Sequence, residues 1–221
     1  DGRSMMGNFT DLYPGAQGST TRDGNLISSV TYSGIPGGTK NNIAQNMRIY
    51  WDGDLCEETF NYANGKNTAG VIIKYGTGVI ATLEGSMTNN DTKGTPCLQA
   101  DIFGDWREEV VMRTADNKVR IYTTTTATQW RNYTLWHDHQ YRNAVVWQMN
   151  GYNQPPHTSY FLGRLEGITV APPALIMTGR TEVKNNGTIG SDANDKQIIT
   201  CETNDMTVNV ADGATPYIYI D

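Results

Sequence analysis

"DIFGDWREE" (residues 101–109) places Asp101, Asp105, Glu108 and Glu109 in nine positions around one Gly and one Trp, and the apolar run VVM follows at once. Like charges this close repel, so a folded site needs something to neutralise them. A bound cation is one answer and a solvated loop between strands is the other. An Asp at the first position, Gly-Asp at the fourth and fifth and Glu at the ninth suit a short calcium loop. Hard cations take carboxylate and carbonyl oxygens, and Gly104 permits the sharp bend that gathers those positions. Asp101, Asp105 and Glu109 are the expected ligands, and Glu108 is expected to face solvent.

A second stretch looks alike. "RIYWDGDLCEE" (48–58) runs from an apolar strand into Asp52-Gly-Asp54 and then Glu57 and Glu58. Asp52, Asp54 and Glu58 are candidate ligands here, with Glu57 turned to solvent. The likeness hints at repeated blades, although the first motif reads as following its strand and the second as preceding one. The 101–109 spacing also resembles the calcium loops of integrin-type propeller repeats, with Phe103 at a position where those loops often carry Asp or Asn.

The surrounding chain supports an all-β reading. Of 221 residues, 23 are Gly, 12 Tyr and 5 Trp, a composition that suits strands and turns. Short β-prone runs recur at 47–51, 70–75, 78–83, 109–113, 118–126, 144–149 and 159–163, most of them bounded by turn residues. "GVIIKYGTGVIATL" reads as a hairpin through Gly76–Gly78 and "EVVMRTADNKVRIYTTT" as one closed by Ala115–Lys118. Antiparallel hairpins with acidic loops suggest a propeller or a sandwich. Trp106, Trp136 and Trp147 are expected in the core between blades.

Net charge is −6 without a basic run, which makes nucleic acid and anionic membranes poor partners. No stretch is apolar enough to span a bilayer. Three scattered cysteines exclude a disulfide scaffold, and no Cys/His spacing suits zinc. The texture changes after Gly167. "VAPPALIMTGR" (170–180) reads as a linker and the remainder as the start of another β-domain. The expected division is therefore 1–168, an antiparallel β-domain, and 169–221, a linker with a truncated small β-domain.

From residue 88 onward the motifs become specific: "NNDTKGTPCLQADIFGDWREEVV", "RIYTTT", "YTLWHDHQYR", "AVVWQ" and "YNQPPH-SYFLG". With "YWDGDL" upstream, they closely resemble the end of the catalytic domain of bacterial rhamnogalacturonan lyases, a family built on an eight-bladed β-propeller. The resemblance covers about 1–168. It implies a calcium-dependent lyase, secreted, periplasmic or on the bacterial cell surface. The reaction is cleavage of the pectic polysaccharide rhamnogalacturonan by β-elimination at galacturonate. It also implies that residues 1–168 are the C-terminal part of an all-β propeller, about three to four blades at roughly 40–50 residues each, inactive alone and partnered by a missing N-terminal half or another chain.

By the same resemblance Lys93, in the position of the family's "NNGTK" lysine, is the base that takes the C5 proton, and Arg3 neutralises the uronate carboxylate. Asn90, Asp91, Thr92 and Tyr152 line the sugar site. Cations beside that carboxylate stabilise the enolate-like transition state. Two departures stand out. Asp91 replaces a Gly and repels an anionic substrate unless paired. In "RSMMGNFTDLYPGAQ" the residues Asn8, Thr10 and Gln17 stand where the family has acids, so a calcium site at Asn8 and Asp11 loses charge and hence affinity. By length and spacing alone Lys93 is a surface lysine. Two other functions compete: a carbohydrate-binding propeller without catalysis, and a calcium-stabilised adhesion module.

Overall fold

A computed structural model describes residues 3–20, 26–32, 34–35, 43–44, 46–90, 92–148, 150, 154–165, 168–170, 181–184, 188–189, 197–200 and 209–210. Asp91 and Tyr152 lie outside them. The chain divides into two compact units, Asp1–Pro173 and Ala174–Asp221. In the second unit, strand Thr181–Lys184 pairs in parallel with Gln197–Thr200, and Thr188–Ile189 with Asn209–Val210.

The first unit is mostly antiparallel sheet. Strands β1 (Ser4–Gly7), β2 (Gln17–Thr20) and β3 (Ile27–Ser28) form one small sheet. Strands β4 (Met47–Ile49), β5 (Glu58–Tyr62), β6 (Gly70–Lys74) and β7 (Gly78–Leu83) follow one another in a four-stranded meander. The third sheet centres on β10 (Glu109–Thr114), which pairs with β11 (Val119–Tyr122) on one side. On its other side lie two short strands in succession, β8 (Ser86–Met87) against Arg113–Thr114 and β9 (Leu98–Ala100) against Glu109–Val111. Residues 88–97 therefore loop out of what is otherwise one edge of β10. A last hairpin joins β12 (Gly163–Leu165) to β13 (Ile168–Val170).

Both expected hairpins form. Gly76 and Gly78 take the positive φ that the β6–β7 turn needs, and Asn117 does so at the β10–β11 turn. Met47, Ile49, Phe60, Ile72 and Leu83 of the meander bury their side chains with Val110 and Met112 of β10, so one apolar cluster joins the two larger sheets. Each such side chain contributes about 1.5–3 kcal/mol on full burial.

Three expectations fail here. Of the run 144–149, read as a strand, residues 144–147 lie in helix α1 (His139–Trp147) and Met149 lies outside the described residues. Asp138 caps it, its Oδ1 accepting from Gln140 N at 3.1 Å, and Tyr141 and Val145, one turn apart, are its buried face. That packing outweighs the strand preference of the Val-Val-Trp run. Trp147, expected in the core, is 64% exposed because it projects from the opposite side of this helix. The run 159–163 contributes only Gly163 to a strand.

Candidate active site and the acidic loops

The two acidic stretches are one motif folded twice. Each links two antiparallel strands, β4 to β5 and β9 to β10, so the apparent difference in strand order disappears. In the shared "GD-x-x-EE" frame Gly53 and Gly104 have φ of 81° and 76°, and Leu55 and Trp106 follow at 78° and 68°. Leu55 and Trp106 are both buried, so burial of the apolar side chain holds a residue other than Gly in the left-handed region. Asp54 and Asp105 each turn an oxygen back on the chain, to Cys56 N at 2.8 Å and Arg107 N at 3.1 Å. Glu58 accepts from Trp51 N and Asp52 N, and Glu109 from Ile102 N and Phe103 N.

Glu57 and Glu108, expected in solvent, are buried on either side of Arg48. Arg48 Nε lies 3.1 Å from Glu57 Oε1 and Nη1 3.1 Å from Glu108 Oε2. The guanidinium carbon sits 5.0 Å from the Tyr50 ring centroid. Glu108 also accepts from Tyr50 N, Gln99 Nε2 and Tyr141 Oη, and Glu57 accepts from Asn8 N. Burial raises both carboxyl pKa values, with Arg48 opposing the shift. Burial lowers that of Arg48, but the two carboxylates outweigh it and hold the guanidinium charged. The neutralising cation of the double motif is thus a side chain. Its sequence signal was an Arg inside the apolar strand "MRIYW".

The expected calcium ligands divide. Asp52, Asp54 and Glu58 place one oxygen each within 4.8 Å of one another, a set that could hold a metal ion. At its centre stands Lys74 at the end of β6, its Nζ 2.5 Å from Asp52, 2.6 Å from Asp54 and 3.0 Å from Glu58. Burial, then Asp52, pushes the Glu58 carboxyl up to about 8 against the pull of Lys74.

Among the described residues Asp101, Asp105 and Glu109 do not form such a cluster. Asp105 pairs with Arg107. Glu109 Oε1 takes the Thr123 hydroxyl at 3.0 Å, where Glu58 has Lys74. Asp101 Oδ2 accepts from Thr134 Oγ1 and Leu135 N, both at 2.8 Å. In the N-terminal loop the uncharged Gln17 does the closing. Its Oε1 accepts from Phe9 N and Thr10 N, and its Nε2 donates to the carbonyls of Thr10, Tyr13 and Gly15. Asn8 is buried and donates its Nδ2 to Leu55 O, while Asp11 is exposed.

Asp101 carries a prediction. Its Oδ1 is buried with no hydrogen-bond partner among the described residues, and burial pushes the carboxyl up to about 6. The folded state then keeps a proton that the unfolded state has released, so stability falls as pH rises from the ordinary value of 3.8 to about 6. At 1.36 kcal/mol per unit the loss approaches about 3 kcal/mol. Asp101→Asn is expected to flatten this slope in urea unfolding followed between pH 4 and 6, and an unchanged slope would assign it elsewhere.

The loop out of β10 carries Asn90, Thr92 and Lys93. It is pinched at its base by Asn89 N to Thr95 O at 2.9 Å and Thr95 N to Asn89 O at 3.2 Å. Asn90 (φ 68°) and Thr92 are exposed, and Asn90 Oδ1 accepts from Thr92 N. Lys93 is not the surface lysine that spacing alone suggests, because it is 3% exposed. Arg3, 89 positions away, donates from Nη2 to Thr92 O at 2.9 Å. The fold thereby sets the two candidate catalytic cations beside one loop.

A β-sheet unit with this loop is matched by polysaccharide lyases. Residues 1–172 match the family described as rhamnogalacturonan lyase family 11, C-terminal domain, and the chain belongs to that family. It is 43% identical over 189 residues to rhamnogalacturonan endolyase YesW of Bacillus subtilis and 40% over 190 to the exolyase YesX. In each case 80% of this chain aligns, with 27% and 31% of the relative. The chain thus spans less than a third of those relatives. A solved Bacillus licheniformis rhamnogalacturonan lyase superposes with a TM-score of 0.62 at 41% identity, over 76% of this chain and 28% of that one.

Proposed function

We propose that this chain supplies the base-bearing part of a bacterial, secreted rhamnogalacturonan lyase, and that its antiparallel sheets are blades of a propeller completed by further sequence. The observation that carries the reading is the meeting of Arg3 with the Lys93 loop, in a chain whose relatives are named for this activity. In β-elimination the C5 proton leaves to a base, the electron pair left at C5 becomes the C4=C5 double bond, and the glycosidic oxygen departs from C4 with its bonding pair and takes a proton from water. Lys93 Nζ takes that proton. Arg3 stands against the galacturonate carboxylate, on which charge develops as the C5–H bond breaks. Asn90 and Thr92, exposed on the same loop, meet the sugar hydroxyls, and likeness to the lyases adds Asp91 and Tyr152, which lie outside the described residues, as further sugar-binding candidates. Titration calorimetry with galacturonate-terminated rhamnogalacturonan fragments tests the assignment. Arg3→Ala is expected to weaken binding by about tenfold or more, the loss of one charge-assisted contact. Equal affinity would remove Arg3 from the site.

Calcium is the proposed metal for Asp52, Asp54 and Glu58, whose hard oxygen donors suit it. The ion would have to replace the Lys74 ammonium, and its contribution there is loop stabilisation. Lys74→Met is expected to lower Tm without calcium and to gain more from added calcium than the wild type does, as ligand linkage requires. Calcium shifts of equal size in both proteins would place the ion elsewhere.

A further inference from the structure

The Lys93 loop is clamped from outside by two side chains with no place in the chemistry. Arg113, on β10, donates from Nε to Asn89 Oδ1 at 2.8 Å and from Nη2 to Thr88 O at 3.0 Å. Its Nη2 also meets Asn67 Oδ1 at 2.5 Å. One guanidinium thus grips the point where the loop leaves the sheet. A planar fork with several donors can do this, and a lysine cannot. On the far side Asn61, on β5 of the neighbouring sheet, accepts from Gly94 N at 2.8 Å. Gly94 follows Lys93 directly, and a Cβ there would overlap the Tyr62 backbone nitrogen. The backbone beside Lys93 therefore lies flat against β5, which is why this position tolerates no side chain.

We propose that Arg113 and Asn61 are positioning residues that hold the Lys93 amine in the geometry proton abstraction requires. This rests on the lyase reading for its catalytic consequence. The mechanical claim stands on the contacts alone. A loop of ten residues emerging from a sheet edge has many conformations, and displacement of a reacting group by about 1 Å costs on the order of 10²-fold in rate. Arg113 fixes the loop to its own sheet and Asn61 to the next one. Lys93 is thereby referenced to both sheets.

Two readouts test it. The first is competitive labelling of lysines with an amine-reactive reagent, read by peptide mass spectrometry with exposed Lys118 as internal reference. Arg113→Ala is expected to raise the labelling rate of Lys93 by about tenfold, as loss of charge-assisted hydrogen bonds shifts an open–closed equilibrium, and Asn61→Ala by about threefold, as loss of one neutral hydrogen bond does. Arg113→Lys is expected to resemble Arg113→Ala. Lys93 labelling unchanged relative to Lys118 in both alanine variants overturns the clamp, whether or not the protein cleaves polymer.

The second readout is a kinetic cycle. Arg113→Ala is expected to lower kcat by about 10²-fold with KM within a few fold, and to have no further effect in a Lys93→Met background. Additive losses in that cycle contradict a role exercised through Lys93. If the wild type shows no elimination while labelling changes as expected, the lyase reading fails and the clamp survives.

Discussion

Replacing Lys93 by Met is expected to reduce the rate of rhamnogalacturonan β-elimination by roughly 10³–10⁴-fold, the upper range for loss of a positioned general base. The substitution retains the aliphatic stem, so the 3% exposed side chain can remain packed while the amine is lost. The variant should therefore still fold, with a lower melting temperature because loss of the amine leaves its partner unsatisfied. Affinity for uronate fragments should also be largely kept, since Arg3 rather than Lys93 is the residue proposed to meet the carboxylate in the ground state. The signature is a fall in kcat with KM nearly unchanged. A Lys93→Met protein with wild-type kcat would transfer the base to another residue.

The largest stability effect is expected at Arg48. Arg48→Met leaves Glu57 and Glu108 buried without their shared cation, and breaking such an arrangement from one side costs about 3–5 kcal/mol. In a chain of this size that lowers Tm by roughly 10 °C. Arg48→Lys should recover little, because one ammonium cannot reproduce the two separate contacts made by Nε and Nη1. Adding Glu57→Gln and Glu108→Gln to Arg48→Met should restore part of the loss, since neutral amides are cheaper to bury than unpaired carboxylates. If Arg48→Met melts with the wild type, the pairs make no net contribution to stability.

These effects show where the sequence could be read. The hairpins were legible because Gly76, Gly78 and Asn117 stand where tight turns need positive φ. The doubled acidic motif was also visible, but its neutralisation was not. Carboxylates announce that a cation is needed without saying whether it arrives from solvent or from the chain. Arg48, Lys74 and Arg107 come from a strand interior, a strand end and the loop itself. Pairing of β4 with β5 brings Arg48 to Glu57, and packing of that sheet against the β10 sheet brings it to Glu108, residues 9 and 60 positions away. Helix α1 was hidden by β-branched residues at its end, although Asp138 and the Tyr141/Val145 spacing were there to be read. Lys93 has no local signal of chemistry. Its case rests on likeness to the lyases and on the contact between Arg3 and Thr92.

The most direct test is absorbance at the wavelength of the unsaturated uronate product. Rhamnogalacturonan is mixed with the protein that carries this chain and, separately, with its Lys93→Met variant. A steady rise with the wild type and a flat trace with a folded variant is the predicted result. Equal rises in both, or flat traces in both while polymer still binds, would contradict Lys93 as the base of a lyase.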